Sequence, residues 1–232
     1  MIIVLTGAGV SQESGLQTFR GAGGLWNGIR AEYLATPEAF EREPEQFHAF
    51  YNMRRRRLLD PEVAPNAAHL ALARLERELD ESLLLITQNV DNLHERAGNA
   101  NLLHMHGELL KTRCTRCGGT FNWEKDILGE DACSGCGKFG TLRPDIVLFS
   151  ERPYFMEEID EALERCRMFV SIGTSGSVYP AAGFAGRARQ CGARVLELNL
   201  EPSSGAAAFH EGRYGRAGEI VPAWVAETLA GE

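Results

Sequence analysis

Leu83-Leu84-Leu85-Ile86-Thr87-Gln88-Asn89-Val90-Asp91-Asn92-Leu93-His94 is the stretch that decides how this chain folds. The run from Leu83 to Thr87 has the length and composition of a buried strand, and it stops in two amides and a carboxylate. Buried polar groups are costly unless each finds a partner. Such a strand end makes sense where a polar ligand binds. His104-Met105-His106-Gly107 and Cys114-x2-Cys117 follow closely, so histidines and a metal knuckle arrive in the same part of the chain.

Three further apolar runs share this character: Ile2–Leu5, Met168–Ile172 and Arg194–Leu198. They end in Gly7-Ala8-Gly9, Gly173-Thr174-Ser175 and Asn199-Leu200-Glu201, with helical patterns between them. The alternation predicts an α/β fold, a Rossmann-like doubly wound parallel sheet whose ligand sits at the carboxyl ends of the strands. Two insertions interrupt it. Residues 36–60 read as helical, with Thr36 as N-cap and Pro37 at the first helical position. Residues 112–141 hold four cysteines and little regular period. The expected division is a Rossmann-like domain of 1–30, 76–111 and 142–232. A helical insertion, 31–75, and a zinc-ribbon module, 112–141, would form a smaller domain.

With 232 residues, 44% of them hydrophobic, the chain can bury one core and a small satellite. Its net charge of -8 argues against a nucleic-acid binder. The stretch from Met168 to Gly186 is broken by Gly173, Gly176, Pro180 and Gly183, so no membrane span is expected. Met1 leads straight into a strand without a signal-type run, and the expectation is a cytoplasmic monomer.

Cys114-x2-Cys117 and Cys133-x2-Cys136 have the spacing of a tetrahedral zinc site. Four protein ligands leave no open position, so the metal is expected to be structural. Cys166 and Cys191 are expected to pack as small hydrophobes. Gly7-Ala8-Gly9-Val10-Ser11 suits a pyrophosphate, but Gln12 stands at the third fingerprint position, and a tight strand-to-helix turn explains it as well. Phe19 and Arg20 precede Gly21-Ala22-Gly23-Gly24; on this segment alone a surface loop is the better reading. His106 is the better general-base candidate of its pair because Gly107 leaves room for a ligand, and no third metal ligand lies near the pair in sequence. His69 and His94 sit on helical patterns, where a core or surface role is the default. Asn199 and Glu201 suit ribose hydroxyls or an ordinary loop equally. Tyr51 and Arg54 share one helix face, yet the run Arg54–Arg57 reads, on pattern alone, as a solvated face.

Taken in order, these motifs closely resemble the sirtuin family of NAD-dependent protein deacylases. The resemblance spans Gly7–Ser11, Thr18-Phe19-Arg20, Thr87–Asp91, His106-Gly107, the four cysteines, Gly173–Ser175 and Asn199–Glu201. Within the family the chain is similar to the short bacterial members and the mitochondrial desuccinylase branch, whose Tyr-x-x-Arg pair falls on Tyr51 and Arg54. The resemblance implies NAD as cofactor and structural zinc. It implies cofactor contacts from Gly7, Ala8, Gly9, Ser11, Phe19, Arg20, Gln88, Asn89, Asp91, Gly173, Thr174, Ser175, Asn199, Glu201 and Ala217, with His106 as the base. It also implies that Tyr51 and Arg54 receive the carboxylate of a succinyl or malonyl group, with Ala31 and Ala35 leaving room for it. Val147, Leu148 and Phe149 would pair with the backbone of an acylated protein substrate.

The implied reaction frees the lysine and yields nicotinamide and O-acyl-ADP-ribose, with acetyl-lysine also accepted. Gln17 and Ser150 depart from the family pattern, and Ser150 is expected to restrict the turn after the substrate segment. The alternatives are a protein ADP-ribosyltransferase using the same site and an NAD-sensing module. An oxidoreductase is weaker still.

Overall fold

The computed structural model describes residues 1–18, 34–79 and 82–231. In chain order the first half comprises β1 (Ile2–Thr6), α1 (Ala8–Ser11), α2 (Pro37–Arg42), α3 (Pro44–Leu58), α4 (Ala67–Leu79), β2 (Leu83–Thr87), α5 (Leu93–Ala97), β3 (Leu102–His104) and β4 (Gly107–Cys114). The second half comprises β5 (Thr120–Asn122), β6 (Leu142–Ile146), α6 (Met156–Arg165), β7 (Met168–Ile172), α7 (Phe184–Gln190), β8 (Arg194–Asn199), β9 (Glu211–Tyr214) and α8 (Ala217–Ala230).

Six strands form a parallel sheet in the order β3-β2-β1-β7-β8-β9. Helices cover both faces, which is why the central strands read as continuous apolar runs instead of alternating ones. Ile3, Leu5 and Ile86 pack with Ile159 and Leu163 of α6 and Phe184 of α7. On the other face Val4, Leu85 and Val170 meet Leu72 and Leu75 of α4 and Trp224 of α8. Strand order reverses between β1 and β7, and the crevice of such a sheet opens at that switch point.

β4, β5 and β6 form a separate antiparallel sheet, and Ala39 of α2 with Phe47, Tyr51 and Leu58 of α3 share one apolar cluster with Leu109, Ile146 and Leu148 beside it. The Thr36 hydroxyl accepts from Ala39 N at 3.1 Å, as its capping role requires. The divisions expected at residues 75 and 111 cut through α4 and β4. α4 belongs with the main sheet because its apolar stripe is buried there, and β6, expected in the larger domain, pairs with β4 in the small sheet. Among the described residues no helix is long and apolar enough to cross a membrane.

Candidate active site

The ends of β1, β2, β7 and β8 are tied together by their backbones. Gly7 N donates to Ile172 O (3.0 Å), Gln88 N to Thr6 O (2.9 Å), Gly9 N to Gly173 O (2.9 Å) and Gly173 N to Leu198 O (3.0 Å). Gly173 has a φ of +62°, and a Cβ there would lie 2.6 Å from Val10 N. A Cβ on Gly7 would lie 2.8 Å from Gly173 O. These glycines are therefore required for the approach of two strand ends, whatever they bind. Beyond them, Asn199 Nδ2 donates to Thr174 O (2.8 Å), and the Thr174 hydroxyl meets Ser171 (2.8 Å). Ser175 and Glu201 are exposed on the loops at this rim, and Ala217 opens α8.

A buried polar network forms the floor. Ser11 Oγ donates to Asp91 Oδ2 (3.0 Å) and accepts from Asn89 Nδ2 (3.1 Å), which also reaches Gly7 O (3.1 Å). Burial raises the Asp91 carboxyl, and the hydrogen bonds from Leu93 N and Ser11 oppose that rise. Beneath lie groups that sequence reasoning left in default roles or overlooked. His69 Nε2 is 3.4 Å from Ser11 Oγ. Thr6 donates to Thr87 (2.9 Å), so it accepts from His94 Nε2 (3.0 Å), and Thr87 in turn accepts from Asn89 N (3.0 Å). The polar ends of two apolar strands, Thr6 and Thr87, were the available signal.

His106, which follows β3, is half-buried. Its Nδ1 faces Gln88 O at 3.1 Å; a carbonyl only accepts, so the proton is on Nδ1 and Nε2 carries the free lone pair. Burial lowers its pKa from the ordinary value, opposed by that hydrogen bond, so the ring is neutral at pH 7. Gly107 does not leave ligand space as expected. Its φ is +79° and β6 fills the place of a side chain, with Asp145 O overlapping the position a Cβ would take. His104 differs: it contacts Glu95 through Nε2 (2.7 Å) and Asn89 O through Nδ1 (3.1 Å). Glu108, four residues on, also lies within reach, so His104 has two carboxylates near it, one of them a sequence neighbour that the reading of the pair had passed over.

A cavity of ≈ 310 Å³ opens beside this network and is lined by Ser11, Asn89, Asp91, Arg54, Arg57 and Leu109, among others. Tyr51 is buried on the same face of α3 as Arg54, whose guanidinium carbon lies 5.9 Å from the Tyr51 ring centroid. Burial pushes the Tyr51 phenol up to about 12, so it remains a donor. The solvated face expected of Arg54–Arg57 is only partly observed. Arg56 and Arg57 are exposed, Arg54 is half-buried and Arg55 is fully buried.

Ala35 is buried at the edge of this region and its carbonyl accepts from Phe149 N (2.8 Å). Val147 N donates to His106 O (2.9 Å) and Leu148 N to Glu151 Oε2 (2.8 Å). All three amides of the segment expected to pair with a peptide thus have partners within the chain, and β6 ends at Ile146. A peptide pairing here would meet carbonyls first. Ser150 follows with φ +73°. Phe19, Arg20 and Ala31 lie outside the described residues.

The four cysteines converge. Cys114 and Cys136 sulfurs are 3.8 Å apart and those of Cys117 and Cys133 3.7 Å, with all four within 4.8 Å of one another. Zinc–sulfur bonds of about 2.3 Å in a tetrahedron require sulfur separations of about 3.8 Å, so the set fits structural zinc. Gly118 and Gly137, at φ +73° and +69°, make the two knuckle turns. Cys166 is buried, but Cys191 ends α7 exposed and does not pack as expected.

Comparison with known proteins agrees with this geometry. The Sir2 family model matches residues 7–180. The chain is 54% identical over 230 residues to an NAD-dependent protein deacylase of Shigella flexneri, covering 99% of this chain and 84% of that protein. It is 55% identical over 231 residues to an NAD-dependent protein deacylase of Leishmania major, covering 98% and 95%. A solved Sir2 homologue–NAD complex superposes with a TM-score of 0.88 at 38% identity, covering 98% of this chain and 90% of that one. A Sir2 mutant bound to a deacetylated p53 peptide and 3'-O-acetyl ADP ribose superposes at 0.86 with 28% identity, covering 99% and 94%.

Proposed function

This chain belongs to the Sir2 family and is an NAD-dependent protein-lysine deacylase, and from that premise we propose that it prefers acidic acyl groups, succinyl and malonyl, while also accepting acetyl. The observation that carries this reading is the position of Arg54, which lines the same cavity as Ser11, Asn89 and Asp91 with Tyr51 beside it. A guanidinium fork matches a carboxylate, and a phenol adds one hydrogen bond.

The site residues act as follows in this reading. Gly7, Ala8 and Gly9 bring backbone close to the cofactor phosphates, with Gly173, Thr174 and Ser175 opposite. Ser11 belongs to the phosphate side; Gln88, Asn89 and Asp91 hold the ribose and nicotinamide; Asn199, Glu201 and Ala217 border the adenosine end. Phe19 and Arg20 are assigned to the nicotinamide side and Ala31 to the acyl pocket with Ala35 on the family pattern. NAD, when bound, would supply an electrophilic ribose carbon that bonds to the acyl oxygen as its bond to nicotinamide breaks and nicotinamide departs. His106 Nε2 takes a ribose hydroxyl proton, and the Gln88 carbonyl holds the ring by its other nitrogen. Zinc, held by the four cysteines, takes no chemical part.

The test is NAD-dependent turnover of one peptide carrying either succinyl- or acetyl-lysine. A higher kcat/KM for the succinyl form supports the assignment, and an acetyl preference removes it. Transfer of label from NAD to protein without an acyl group would instead favour the transferase.

A further inference from the structure

Helix α3 is held from both sides by two buried polar residues that touch neither cavity nor crevice. Asn52 makes a two-way bond with the peptide of Ile127: its Nδ2 donates to Ile127 O (3.0 Å) and its Oδ1 accepts from Ile127 N (2.9 Å). The same oxygen accepts from Arg55 Nη1 (2.9 Å), so a flipped amide would face two donors, and its orientation is determined. Ile127 packs with Cys114, Cys133 and Leu142 in the core of the cysteine module. Outside this contact, Arg56 reaches Asp126 with two bonds of 3.0 and 2.6 Å.

Arg55 extends the connection in the other direction. Its Nε donates to Leu109 O (3.1 Å), while Leu109 N donates to Val90 O (2.8 Å), between Asn89 and Asp91. Arg55 is fully buried, and among the described residues no carboxylate is in hydrogen-bond contact with it and its Nη2 has no partner. Burial lowers it to about 10, opposed by Asp126, and it remains charged at neutral pH. A buried charge without a carboxylate in hydrogen-bond contact is a poor source of stability compared with an apolar side chain. Its geometric consequence is the stronger reason for its presence.

We propose that Asn52 and Arg55 are positioning residues that fasten α3, and with it Tyr51 and Arg54, to the zinc module on one side and to the Gln88–Asp91 segment on the other, so that zinc occupancy sets acyl specificity. The proposal rests on Tyr51 and Arg54 reading the acyl carboxylate. Zinc holds the cysteine core, that core holds the Ile127 peptide, and Asn52 transmits its position to the residue immediately before it in sequence and to the one two positions after.

Hydrogen exchange and kinetics on the full chain test it. Metal removal from the wild-type protein should speed exchange of α3 amides by about tenfold while β1 and β7 keep their protection. Asn52→Leu, with metal bound, should reproduce that local loosening. It should raise KM for the succinyl peptide about tenfold, with KM for NAD held within about twofold, because only the acyl side is displaced. Unchanged α3 protection after metal removal overturns the proposal. So does exchange rising equally in β1 and β7, or KM for NAD rising along with that for peptide. Should Arg54→Met show that the pair does not read the carboxylate, the acyl reading and the specificity half fall together, while the exchange data still decide whether the clamp exists.

Discussion

Gly9 and Gly173 close on each other so tightly that a Cβ on Gly9 would lie 2.8 Å from Gly173 Cα, and one on Gly173 2.9 Å from Gly9 Cα. This contact joins the turn after β1 to the end of β7 at the switch point of the sheet. Gly173→Ala combines a left-handed backbone with a backbone overlap, and should destabilise the fold by about 2–4 kcal/mol. Thermal unfolding and NAD titration of the variant check it; an unchanged Tm with full affinity would refute the contact.

Arg54→Met keeps the length of the side chain and removes the fork. Loss of charged hydrogen bonds to an acyl carboxylate costs about 1.5–3 kcal/mol, roughly 10- to 100-fold in kcat/KM for the succinyl peptide. Acetyl-peptide turnover should stay within about threefold. Equal losses on both peptides would assign Arg54 to the fold instead.

The His106 pKa lies below its ordinary value, so its base form persists to a lower pH than that of a free imidazole. Activity lost by protonating His106 should therefore appear only as pH falls through that lowered value. A kcat/KM profile whose acid limb is centred below the ordinary imidazole value of about 6.5 is expected. An acid limb centred above pH 7 contradicts this.

Burial holds His48 and His69 down to about 4, in His48 with Arg55 adding to the effect. The folded chain then binds fewer protons than the unfolded one between pH 6.5 and 4. Stability is fully present above 6.5 and declines as pH falls through that window, by about 2–3 kcal/mol per histidine at its lower end. His104 has the opposite sign: burial lowers it, but Glu95 more than offsets this and the net shift is upward. Its contribution is present below pH 6.5 and lost as pH rises through its folded value. Urea midpoints at pH 6.5, 5.5 and 4.5 report the first effect, and its onset above the carboxylate range identifies histidines as the source.

Ser150 holds φ +73° in the turn closed by Leu148 and Glu151. Glycine takes this conformation without the Cβ penalty, so Ser150→Gly should stabilise by about 1 kcal/mol and raise Tm by about 2–4 °C. A calorimetric scan showing no rise would mean that the turn relaxes without help from glycine.

The same positions show where reading the chain succeeds and where it stops. β1, β2, β7 and β8 were legible because strands covered on both faces must be apolar throughout. β9, reading Glu-Gly-Arg-Tyr, was not, since an edge strand is stabilised by its one neighbour and needs no apolar run. The cysteine spacing announced its own site. Thr6 stood out as a polar strand end, but neither it nor His69 showed which partner it would meet, because the contacts to Thr87 and Ser11 join residues 81 and 58 positions apart.

By itself, then, the sequence determined the four central strands, the metal knuckles and the polar strand ends, all of which follow from composition within a few neighbouring residues. Only the tertiary structure decided which of four consecutive arginines is buried, that Gly107 yields its space to β6, and that Asn52 meets Ile127. Those outcomes depend on which distant backbone carries an unpaired donor or acceptor, and burial makes satisfying it compulsory.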